Sequence, residues 1–251
     1  MFAFLLATLF CIQEPAPAPK QPARPVDAAA PAPKKVETWD DRAAKAAVDG
    51  LAKALKTAQN LADRSAALEQ LAGGANAQLV KPLVRLVETD KATTIQRRAV
   101  QLLANQPAAA AGPALLKLLD NLRVKTSAPV AAEVVRALSH CGYEAGCWDR
   151  LAALFEQSYA TEFVPLHVAV LDVAIVHKEK LALPLLLRNL DEPVPSDVDA
   201  AHNPPAEYWK ARWTSWSQWR DKVKEALFTI TGQRFASAAE AKAWLDKNPP
   251  K

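Results

Sequence analysis

Four blocks of this sequence repeat one pattern at a near-constant spacing, and that period limits the fold more than any other feature. The first member of each block reads Ala67-Leu68-Glu69-Gln70-Leu71-Ala72, Ala99-Val100-Gln101-Leu102-Leu103-Ala104, Val134-Val135-Arg136-Ala137-Leu138-Ser139 and Ala169-Val170-Leu171-Asp172-Val173-Ala174. Matching positions lie 32, 35 and 35 residues apart. A turn signal closes each one: Gly73-Gly74, Gln106-Pro107, Cys141-Gly142 and His177-Lys178. A second helical pattern follows at 80–87, 112–119, 148–155 and 181–190. Pro82, Pro113 and Pro184 fall where that second helix should begin, the place at which a missing N–H costs least. A lone helical pair cannot bury its apolar stripe, whereas a stack of pairs shares one continuous core.

Composition agrees with a helical chain. Half of the residues are apolar and only 7 of 251 are glycine, and the middle of the chain is dominated by good helix formers. Charge is mild. Residues 39–190 carry 18 basic and 15 acidic side chains, 191–205 is acidic, and 206–251 carries nine basic against five acidic. No basic stripe suited to a phosphate backbone stands out, which disfavours nucleic acid as a partner. The Arg97-Arg98 pair reads as a solvated helix face.

Residues 1–12 are apolar without interruption, too short for a bilayer span of roughly 20 residues and suited to a secretory signal core. No Lys or Arg precedes the run and no A-x-A site closes it. Cys11 lacks the small preceding residue of a lipidation site. Residues 13–37 are rich in proline and alanine and read as an extended linker, with the periodic pattern beginning after it. A helix is expected over 38–60, opened by Thr38 and Asp41 at capping-box spacing. The repeats occupy 61–191, an acidic loop 192–205, and a tryptophan-rich helical unit 206–251.

That last unit places Trp209, Trp213, Trp216, Val223, Leu227 and Ile230 on one helical face. Ser237 and Glu240 form a second capping box, opening a short helix that bears Trp244. The final pair in a stack has no successor to cover it, and large rings cover area efficiently. On this reading Trp213, Trp216 and Trp244 are core. Trp209 and Trp219, at the margins of the stripe, are the candidates for contact with a partner.

The period, the second-helix prolines and the small residues Ala67, Ala99 and Ala169 resemble HEAT repeats. Arg64 matches an arginine usual in that family, although Gln96, Ala131 and Leu166 replace it in later blocks. The run 226–235 with Trp244 is similar to the closing unit of exported HEAT-repeat proteins abundant in Planctomycetes. Ile230 departs from the leucine usual there. The resemblance implies an all-α fold, an α-solenoid of helical hairpins with an aromatic C-terminal capping unit. It also implies export and an interaction role.

Little in the sequence points to chemistry. No G-x-S-x-G, P-loop, G-x-G-x-x-G or H-E-x-x-H run occurs, so no cofactor is expected. His167, within an apolar helix, is expected to be a core histidine with one nitrogen satisfied. Cys141 and Cys147 flank the Gly142–Gly146 turn. They are disulfide candidates in an oxidising compartment and two buried thiols in a reducing one. With His140 they would still lack a fourth metal ligand. The expectation is a non-catalytic scaffold of the cell envelope or periplasm that binds a protein whose identity the sequence does not carry. Alternatives are a glycan- or peptide-binding module using the C-terminal tryptophans, or a HEAT-type enzyme similar to phycobilin lyases.

Overall fold

The computed structural model describes residues 36–195 and 200–249. The signal-like segment 1–12, most of the linker and part of the acidic loop lie outside these residues. Helix dominates what is described: α1 Asp41–Thr57, α2 Leu61–Glu69, α3 Val80–Thr89, α4 Thr93–Ala104, α5 Ala108–Asp120 and α6 Leu122–Thr126. They are followed by α7 Ala128–Cys141, α8 Trp148–Glu156, α9 Val164–His177, α10 Leu183–Arg188, α11 Ala206–Thr231 and α12 Ala238–Lys247. The described residues are all-α apart from one two-residue bridge. There β1 (Glu37–Thr38) pairs in parallel with β2 (Gly74–Ala75).

That bridge corrects two expectations. Glu37 and Thr38 belong to the folded unit rather than to the linker or to a capping box. The cap of α1 is Asp40, whose carboxylate accepts the Ala43 N–H at 2.7 Å. Asn76 secures the junction by donating from Nδ2 to the Trp39 carbonyl at 3.0 Å and to Asp41 Oδ1 at 3.1 Å. Local spacing could not reveal this, because both partners of the strand pair lie far apart in the chain.

Successive first helices pack side by side in order: α2 on α4, α4 on α7, α7 on α9, and α9 on α11. Ala67, Ala99 and Ala169 are all buried in these contacts, as small residues should be where helix axes approach closely. The α9 helix is apolar nearly all round and is flanked by α7, α8 and α11. Pro82 and Pro184 stand in the first turns of α3 and α10, as expected. Pro113 does not. It sits six residues into α5, which starts earlier than expected because Ala108–Ala111 are strong helix formers.

Two backbones touch where α5 passes the end of α7. A Cβ on Gly142 would lie 2.6 Å from the Gly112 Cα, closer than any real contact. Glycine is required at this crossing for room, not for a special torsion angle.

The helix row is also joined by polar pairs whose separation matches the repeat. Arg98 Nε and Nη2 donate to Glu69 at 2.6 and 2.8 Å, across 29 residues. Arg97 Nη2 and Gln101 Nε2 both reach Glu133 at 3.2 Å. Arg150 bonds Asp120 at 3.1 Å and Arg188 bonds Glu156 at 2.6 Å, 30 and 32 residues apart. Thus Arg97 and Arg98 are inter-helix ties, not a merely solvated face. Exposed pairs of this kind contribute about 0–1 kcal/mol each, so they fix alignment more than they add stability.

Candidate functional site

The wheel of α11 decides what its tryptophans can do. At 100° per residue, Ser215, Val223 and Ala226 lie within about 40° of Trp219, whereas Trp213 lies about 120° round from it. The buried residues of α11 are Ser215, Trp216, Trp219, Val223, Ala226 and Leu227. Trp219 is therefore at the centre of the packed face, 1% exposed, and Trp213 is on the outer side, 47% exposed. Both assignments are the reverse of the sequence expectation. Trp219 is not available as a contact, and Trp213 is not core.

The remaining tryptophans divide as follows. Trp216 is buried, and its Nε1–H donates to the Asn189 carbonyl at 3.0 Å. Trp244 is half-buried against Phe235, with ring centroids 5.8 Å apart. Trp209 is half-buried beside Tyr208, their rings edge to face at 5.3 Å. Arg212 lies over the Tyr159 ring, its guanidinium carbon 4.7 Å from that centroid and 5.9 Å from that of Trp209. Among the tryptophans of α11 the outward ring is thus Trp213, with Trp209 at its margin. Trp213 is held in place by Glu192, whose carboxylate accepts its indole N–H.

Beneath this surface lies His167. It is fully buried against Phe155, Tyr159 and Trp219, with Nε2 3.1 Å from the Phe155 carbonyl and 3.0 Å from that of Ser158. A carbonyl only accepts, so Nε2 carries the proton. Nδ1 has no partner. Burial lowers the pKa from 6.5 to about 4, against the opposing pull of the two carbonyls. This is the neutral core histidine that the helix pattern indicates.

Cys141 and Cys147 are free thiols. Cys147 belongs to the apolar core, while Cys141 is half-buried at the end of α7, where burial raises its pKa. Flanking one turn did not suffice to join them.

A polar cluster escaped the sequence reading. Tyr143 donates to Glu179 at 2.5 Å and packs on the His177 ring, centroids 4.3 Å apart. His177 Nε2 lies 3.0 Å from Ser139 Oγ and 3.1 Å from the Ser139 carbonyl. The carbonyl contact requires Nε2–H, which leaves that nitrogen no lone pair to take a proton from the serine. Burial, reinforced by the Glu179 carboxylate, holds the Tyr143 phenol well above its ordinary value. The cluster ties the C-terminal ends of α7 and α9 together. Its only sequence signal is the offsets of 38 and 36 residues.

Among the described residues, no group of three His, Cys, Asp or Glu side chains could hold a metal ion. No described helix is long and apolar enough to cross a membrane. Comparison with protein-family models, curated proteins and solved structures gives no significant match.

Proposed function

We propose that the chain is an exported α-solenoid of HEAT-like hairpins, a non-catalytic scaffold that contacts a protein partner through its C-terminal aromatic face. The observation that carries this reading is Trp213: a large ring nearly half exposed, yet fixed in orientation by Glu192. Tryptophan is among the residue types enriched at the energetic centre of interfaces. The ordered packing of first helices and the repeat-spaced polar pairs support the solenoid half of the proposal. The apolar run 1–12 supports export.

The test is affinity capture from the native envelope fraction with the full chain and with Trp213→Ala. The substitution should leave the circular dichroism spectrum and melting temperature unchanged and abolish capture of a specific protein. Equal capture by both would exclude Trp213 as the contact. A second reading follows from the same side chain, since a flat indole with a carboxylate at its edge also suits a sugar ring. Quenching of tryptophan emission by a soluble oligosaccharide, lost in Trp213→Ala, would select it.

A further inference from the structure

A second surface lies at the other end of the helix row, where α1 and α3 enclose a groove of about 530 Å³. This lies within the roughly 300–1,000 Å³ common for ligand-binding clefts. Its floor is apolar: Leu51, Leu55, Pro82 and Leu86. Its rim is basic: Lys56, Lys81 and Arg85, with no carboxylate in the lining. None of these three cations forms an ion pair with a described residue. At the C-terminal end of the row α11 packs on α9 and α10, and α12 packs on α10.

We infer that this groove docks an acidic amphipathic helix of a partner protein. Leu51 and Leu55 on α1, and Pro82 and Leu86 on α3, each stand one helical turn apart. Such paired ridges receive the i, i+3/i+4, i+7 ridge of a third helix. Both walls are helical, so no free strand edge is offered to an extended peptide. Charge selects the occupant. Glu or Asp flanking the apolar ridge would meet Lys56, Lys81 and Arg85. Charge also disfavours the chain's own N-terminal segment, since 13–35 holds Lys20, Arg24, Lys34 and Lys35 against Glu14 and Asp27, and 1–12 holds no acid. The inference shares the interaction reading given above but concerns a different surface, and the two fail separately.

The probe is a labelled synthetic helix of about 18 residues with Leu on one face and Glu on the other. Its binding to the full chain is followed by fluorescence anisotropy at low and moderate salt. It should bind, whereas the same peptide with Lys for Glu should not. Lys81→Glu with Arg85→Glu should weaken binding about tenfold or more. Ala52→Lys puts a long side chain into the groove while adding positive charge, at an exposed position where the fold should stay intact. It should abolish binding. Retained binding in Ala52→Lys would mean diffuse attraction and overturn the proposal. Tighter binding on deleting residues 1–35 would make the chain's own segment the occupant. Concentration-dependent self-association lost in Arg85→Glu would make it a second copy. Either result overturns the proposal as stated. Trp213→Ala should leave peptide binding unchanged.

Discussion

At the scale of single residues, His167 couples the core to pH. Its folded pKa, about 4, lies below the ordinary 6.5, so protonation favours the unfolded chain. The stability it contributes is complete above about pH 6.5 and is lost as pH falls from there toward 4, by up to about 3 kcal/mol. Urea midpoints at pH 7 and pH 4.5 should therefore differ less in His167→Gln than in the parent. An equal drop in both would place the acid sensitivity elsewhere. Gln106 has a different role. Its Nε2 donates to the carbonyls of Gly74 and Leu102 at 3.2 and 2.9 Å, and its Oε1 accepts the Asn76 N–H at 2.9 Å. Gln106→Leu strands the partners across the first repeat boundary and should cost about 1–3 kcal/mol, measured by denaturant titration. His167 could be read from its apolar neighbours in one helix. Gln106 looked only like a turn residue, because the two partners that give it its role are 30 and 32 positions away.

Among the elements, α11 shows what pattern reading resolves and where it stops. Its helical nature, its start after the acidic loop and the burial of Trp216 followed from the sequence pattern. The choice among Trp209, Trp213 and Trp219 did not, because Trp209 and Trp213 lie about 80° and 120° round from Trp219, at the outer edge of the stripe, while Trp219 lies nearer its packed centre. Centring the wheel on Val223 and Ala226, both buried on this helix, singles out Trp219. Trp219→Ala should cost about 3–5 kcal/mol, as for other buried large rings. Trp213→Ala should stay within about 0.5 kcal/mol. Acrylamide should quench Trp213 strongly and Trp219 hardly at all in single-tryptophan variants, and the opposite ranking would mean that α11 is rotated. The α5–α7 crossing is equally specific. Gly142→Ala must push the backbones apart and should destabilise by about 1–3 kcal/mol, an overpacking cost visible as a lower thermal midpoint.

Taken whole, the molecule has its best-supported helices in the middle. α7 packs on α4, α5 and α9, and α9 on α7, α8 and α11, whereas α1 and α12 have neighbours on one side. Amide hydrogen exchange should accordingly be slowest in α7 and α9 and fastest in α1 and α12, and uniform protection would contradict this gradient. The helical class and the repeat period were open to inspection because they are local and recurrent. The ends were not, since β1 and the α1–α3 groove depend on what meets there after folding. The polar pairs extend the lesson, because each ties one block only to the next. Pulled from its two termini, a chain so joined bears load in series, with each interface carrying the whole force and none sharing it with a distant one. Extension should then proceed in steps, each releasing one block of 32 to 35 residues. That is a contour gain of roughly 110–120 Å per step.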